Sequence, residues 1–94
     1  MLNTIKKDLI TALKNKDTLR VSVIRFLLSK VQNMEIELKT SGEIFTDDHM
    51  LRILKKQIKM RKEAIDALTK AGRTEDIIKE EAEIAILQEY YKEE

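Results

Sequence analysis

The chain contains no proline, and its two glycines stand alone at positions 42 and 72. Proline and glycine are the residues that most often interrupt a helix, so the stretches between these points are free to run as long helices. Apolar residues recur within them at spacings of three and four, the period of one helical face. Val, Ile and Thr never alternate with polar residues over a strand length. Charged residues make up 37% and hydrophobic residues 43%, the composition of long amphipathic helices rather than of sheets. The expected fold is therefore all-α: a compact bundle of about four helices in antiparallel hairpins, forming a single domain over residues 1–94.

The first helix is expected from about Thr4 to Lys14, with Asn3 as N-cap and Leu2, Ile5, Leu9 and Leu13 as one apolar stripe. Asn15 is the residue suited to the left-handed conformation that ends it, and Asp17 to capping the next helix. The second helix, about Thr18 to Lys39, carries Val21, Ile24, Leu28, Val31 and Leu38 near one stripe, with Val23, Leu27 and Met34 beside it. Thr40-Ser41-Gly42 stops it. Thr46 caps a third helix, about Asp47 to Ala71, with Leu51, Leu54, Ile58, Ile65 and Leu68 facing inward. Asp47 and Asp48 suit the positive end of its dipole. After Gly72, Thr74 caps a fourth helix to about Tyr90, with Ile77, Ile84, Leu87 and Tyr91 on one face and Ile78, Ala82 and Ala85 widening it. Glu89, Glu93 and Glu94 put anions at its negative pole, which is unfavourable. Phe26 reads as core and Phe45 as a loop anchor.

The absence of cysteine excludes disulfides, thiolate nucleophiles and cysteine-ligated zinc. Charges interrupt every apolar stretch of MLNTIKKDLITALKNKD, so neither a signal peptide nor a membrane span is read there, and the cytoplasm is the expected compartment. Net charge is only +1, but its sign is segregated: residues 46–71 are rich in Lys and Arg, and residues from 73 onward are rich in Glu.

Few residues offer chemistry. His49 is the single histidine, and Ser22, Ser29 and Ser41 are the serines. A serine–histidine site needs them assembled with an orienting group, and Ser22 and Ser29 read more simply as small packing residues. Asp47-Asp48-His49 resembles a metal cluster only in one dimension, since consecutive helical side chains diverge by about 100°. Glu80, Glu81 and Glu83 read as a solvated acidic face or as partners of the basic third helix. Gly42 and Gly72 are isolated, so no glycine-rich phosphate loop exists. No catalytic residue, cofactor site or metal site is assigned.

The binding candidate is a stripe of Arg52, Lys55, Lys56, Lys59 and Lys62 along one side of the third helix. Such a stripe can contact phosphates. Lys59–Glu63 and Lys62–Asp66 are i,i+4 pairs able to neutralise it in part. Solvated or paired face, RNA contact and protein contact all stand open at this point. Tyr90 and Tyr91 suit helix-end packing better than base stacking.

Three stretches carry a resemblance. Lys14-Asn15-Lys16-Asp17-Thr18-Leu19-Arg20 followed by Ile24-Arg25 resembles a lysine-rich turn into D-x-x-R-x-x-x-[IL]-R. Lys56 to Ile65 resembles K-Q-x-x-x-R-K-E-[AS]-I. Ala71-Gly72-Arg73 and Glu80-Glu81-Ala82-Glu83-Ile84-Ala85-Ile86-Leu87-Gln88-Glu89-Tyr90 are similar to A-G-R…E-E-A-E-I-A-[IV]-L-x-x-Y nearly residue for residue. These are motifs of the YqeY family, and the resemblance runs over essentially the whole chain. The family is similar to the C-terminal region of GatB, a subunit of tRNA-dependent amidotransferase, whose catalytic chemistry belongs to other domains and whose tail is associated with tRNA. The resemblance implies a non-catalytic accessory module with tRNA or amidotransferase subunits as partners, under an inherited carbon–nitrogen ligase label with glutamine as amido donor. The alternative is a protein-interaction helical module with no nucleic-acid role. Where the family continues Tyr-Leu-Pro into a second small helical domain, this sequence reads Tyr90-Tyr91-Lys92-Glu93-Glu94, and that second domain is expected to be absent.

Overall fold

The protein is seen in a computed structural model that describes residues 1–91; Glu93 and Glu94, expected as anions at the last helix end, lie outside the described residues. Four helices and no strand are formed among the described residues: α1 Leu2–Lys14, α2 Thr18–Thr40, α3 Asp47–Lys70 and α4 Thr74–Tyr90. The all-α reading holds. The chain divides into two compact units, Met1–Ile53 and Leu54–Glu94, so α3 begins in the first and ends in the second.

In the first unit α1 packs on α2. A joint of three residues between contacting helices forces them to run antiparallel. Ile5 and Ala12 of α1, Val23, Ile24, Leu27 and Val31 of α2, and Met50 and Ile53 of α3 are the buried apolar residues of this unit. Ile5, Ile24 and Val31 are buried on the expected stripes and Val23 and Leu27 beside them, but the other stripe positions are corrected. Leu13 is exposed, and Leu2, Leu9, Val21, Leu28 and Leu38 are only half-buried. Phe26 is 45% exposed and is not core. At about 100° per residue it lies some 200° around the helix from fully buried Ile24, so position overrules residue type.

In the second unit Leu54, Ile58, Ile84, Ile86 and Leu87 are buried, together with the polar Gln57 and Glu83. Ile65, Leu68, Ile77 and Tyr91 are half-buried, as is Leu51 in the first unit, and Ile78 and Ala85 are exposed. Arg61 of α3 meets Glu80 and Glu83 of α4, so α4 folds back along α3 as the second hairpin.

The C-termini of α1, α2 and α3 close in the same way. Asp17 N–H donates to the Ala12 carbonyl and Lys16 N–H to that of Leu13; Glu43 pairs with Leu38 and Gly42 with Lys39; Arg73 pairs with Leu68 and Gly72 with Thr69. This six-to-one and five-to-two pattern requires a left-handed residue just past the helix. Gly42 (φ 76°) and Gly72 (φ 71°) supply it at two joints. At the first, Asn15 stays right-handed at φ −83°, ψ −1°, and Lys16 takes φ 57° instead, which corrects the expectation for Asn15. A side chain in that region is strained by about 1–2 kcal/mol. Glycine removes the strain but adds about 0.5–1 kcal/mol of unfolded-state entropy. Lys16→Gly is therefore expected to raise stability by about 0.5–1 kcal/mol, read as a higher denaturant midpoint at unchanged slope. A lower midpoint would contradict the assignment.

The helix starts differ from expectation at both ends of the chain. α1 begins at Leu2, with Asn3 inside it and the Met1 ammonium 3.5 Å from the Asp47 carboxylate. α4 has Arg73 rather than Thr74 at the cap position, and the Arg73 guanidinium pairs with Asp76 at 2.6 Å. Asp17 caps α2 as expected, accepting the Arg20 N–H at 3.1 Å.

Candidate functional site

The stripe residues Arg52, Lys55, Lys56, Lys59 and Lys62 are all exposed on α3. Their positions, converted at about 100° per residue, span roughly 120° of the helix circumference over about 15 Å of axis. The buried residues Ile53, Leu54, Gln57 and Ile58 interleave with them and hold the opposite side inward. Burial of that side is what keeps the cations facing solvent.

Among the described residues none of the five forms an ion pair. Neither Lys59–Glu63 nor Lys62–Asp66 closes to bonding distance, and the acids of α4 do not reach the stripe. Glu80 and Glu83 turn instead toward Arg61, a cation left out of the stripe: the Arg61 guanidinium lies 3.3 Å from Glu80 and hydrogen-bonds Glu83 directly. Glu80 and Glu83 thus partner the third helix, as one of their two readings had it, but at Arg61 rather than at the stripe, while Glu81 stays exposed. Met60, 50% exposed, is an apolar residue beside Lys56 and Lys59.

The other candidates resolve into local structure. Nδ1 of His49 accepts the Thr46 backbone N–H at 3.0 Å, and the Thr46 hydroxyl lies 3.0 Å from the same nitrogen. His49 thereby plays the part that Glu or Gln plays in a capping box, three residues into α3. Its ring also stacks on Phe45 at 5.7 Å between centroids. Phe45 is half-buried and anchors the loop, as expected. The hydroxyls of Ser29 and Ser41 each donate to a carbonyl three residues back, those of Phe26 and Leu38. Asp47 faces the Met1 ammonium, so Asp47, Asp48 and His49 do not converge.

Arg61, as the residue of the third helix that Glu80 and Glu83 partner, is the polar feature that sequence reasoning missed. A signal for it existed. Leu54, Ile58, Ile65 and Leu68 step by four and three along one line, and the position that completes the series is 61. Arg61 belongs to the second of the three resembling stretches and Glu80 and Glu83 to the third, so the structure ties these two motifs together.

No described helix is long and apolar enough to cross a membrane. A family model described as Yqey-like protein matches residues 2–94. An uncharacterized protein of Schizosaccharomyces pombe is 36% identical over 89 residues, covering 95% of this chain and 70% of that protein. Altered inheritance of mitochondria protein 41, mitochondrial, of Lachancea thermotolerans is 36% identical over 86 residues, covering 92% of this chain and 45% of that one. Its namesake in Candida glabrata is 30% identical over 94 residues, covering 99% and 50%. The chain thus spans about half the length of these mitochondrial relatives. They overturn the cytoplasmic expectation, since they are named as mitochondrial proteins. That expectation rested on the missing apolar leader in α1, and in a chain matching only part of its relatives those residues do not report compartment. With the match extending from residue 2 to residue 94, the chain belongs to the YqeY-like family.

Proposed function

We propose that the chain is a non-catalytic accessory module of tRNA-dependent amidotransfer that contacts tRNA phosphates through α3. The observation that carries this reading is the stripe: five exposed cations without ion-pair partners among the described residues, while Glu80 and Glu83 of α4 are drawn to Arg61. Uncompensated cations spaced along a helix suit a polyanion, and the amidotransferase connection rests on the family's similarity to the GatB tail. The mitochondrial names of the relatives support that organelle as the setting of this reading.

The test is a salt series. Binding of tRNA to this chain should be weak and fall linearly on a log–log plot against salt, with a slope of about −2 to −4 for three or four phosphate contacts. Lys55→Glu with Lys59→Glu should abolish binding of every tRNA alike, because phosphate contacts carry no sequence information. Titrations that stay flat at low salt would falsify the reading. One observation favours a second reading, docking of a protein partner: Met60 sets an exposed apolar residue among the cations, as protein interfaces do. Capture of a protein partner that is lost on the same charge reversal, with no tRNA affinity, supports that alternative.

A further inference from the structure

The first joint carries a groove unrelated to the α3 stripe. Leu13 at the end of α1, Lys16 in the joint, and Thr18, Val21, Ser22 and Arg25 on α2 line an open groove of about 680 Å³, all within the first unit. That size falls in the range of roughly 300–1,000 Å³ typical of small-ligand sites. Thr18, Val21, Ser22 and Arg25 follow the spacing i, i+3, i+4, i+7, so one face of α2 forms a wall. The lining is two-sided in chemistry. Leu13, 46% exposed, and Val21 offer aliphatic surface, while Lys16 and Arg25 offer charge and Thr18 and Ser22 hydroxyls.

No carboxylate lines the groove among the described residues. Asp17, the neighbouring acid, directs one oxygen to the Arg20 N–H and the other to the Arg20 side chain at 3.6 Å. Neither Lys16 nor Arg25 has an ion pair among the described residues. Residues 1–30 hold seven Lys and Arg against two Asp, so the surroundings reinforce a positive site. Lys16 adds an independent sign: it occupies a left-handed position that glycine fills at both other joints. Strain kept where glycine would relieve it points to a task for the side chain beyond turning the backbone.

We propose that this groove binds a single-chain anionic amphiphile. Its apolar body lies on Leu13 and Val21, and its phosphate or carboxylate head sits between Lys16 and Arg25, with the hydroxyls of Thr18 and Ser22 donating to the remaining oxygens. A nucleic acid uses only half of this lining, because among the described residues no aromatic ring lies in the groove to stack a base. The volume fits one such molecule rather than a bilayer surface.

The probe is dodecyl phosphate below its micelle concentration, titrated into the full chain and followed by methyl and amide NMR. Saturable shifts are expected at Leu13, Val21, Lys16 and Arg25, with affinity at least about tenfold above that of inorganic phosphate. Lys16→Gly and Arg25→Gln should each weaken binding about tenfold, the loss of one charge-assisted contact. Lys16→Gly is also expected to melt no lower than the parent, which separates lost binding from lost fold. Affinity equal to that of inorganic phosphate, shifts elsewhere, or insensitivity to both variants overturns the proposal. So does binding to phosphatidylglycerol vesicles, an acidic peptide or tRNA at these residues without binding of the monomeric amphiphile.

Discussion

Truncation of Leu27 to alanine is expected to cost about 3–5 kcal/mol, whereas the same truncation at Leu28 is expected to cost about 1–2 kcal/mol. The two leucines are adjacent on α2, yet Leu27 is 1% exposed and Leu28 is half-buried. A fully enclosed side chain loses its transfer energy and leaves a cavity, while a half-exposed one loses part of the first term and opens the space to water. Against a total stability of about 5–15 kcal/mol the loss at Leu27 is a large share, and the melting point should fall by more than about 12 °C. Denaturant midpoints at constant slope read both changes. If Leu27→Ala does not fold, Leu27→Met, which conserves volume, should restore folding at a cost under about 1.5 kcal/mol. Equal losses at the two positions would show that the seam of α2 is misplaced.

The same pair of residues shows what periodicity reveals and what it leaves undecided. All four helices were legible, because apolar spacing of three and four between well-placed stops admits no other regular structure. Their seams were less so. Val21, Val23, Ile24, Leu27, Leu28 and Val31 cover so much of α2 that several stripes fit the period equally well. Which one is buried depends on the surface packed against it, and a single helix does not contain that information. α4 has the same ambiguity, with Ile86 buried and Ile78 exposed. At the joints, propensity favoured Asn15 as the left-handed residue, but the bonds to Ala12 and Leu13 require φ > 0 one position later, at Lys16.

For the candidate site, the exposure of Arg52, Lys55, Lys56, Lys59 and Lys62 was legible as soon as the apolar side of α3 was fixed. Their electrostatic surroundings were not. Sequence adjacency suggested i,i+4 neutralisation by Glu63 and Asp66, yet flexible surface pairs gain only a few tenths of a kcal/mol, and these do not close. The acidic α4 offered a second screen, but whether its carboxylates reach a given cation is a question of helix rotation. That rotation buries Glu83 beside Arg61.

The Arg61 cluster supplies the second large effect. Arg61→Met removes the guanidinium and leaves Glu80 and Glu83 facing each other, and it is expected to cost about 2–4 kcal/mol. The side chains of Arg61 and Glu83 are only 17% and 11% exposed, so water compensates the stranded carboxylate poorly. The charge is costly mainly when it is left alone. Arg61→Met combined with Glu83→Leu should therefore recover most of the loss, giving a double-mutant coupling above about 1.5 kcal/mol. An exposed pair at the start of α4 calibrates the measurement: Arg73 at the cap position and Asp76 approach within 2.6 Å at 65% and 43% exposure. Their coupling should stay below about 1 kcal/mol, as for solvent-screened pairs, and should shrink further in high salt. Couplings of similar size in the two cycles would mean that Arg61 is a surface cation. It would then join the stripe on α3 as a further candidate for phosphate contact rather than act as the internal tie between α3 and α4.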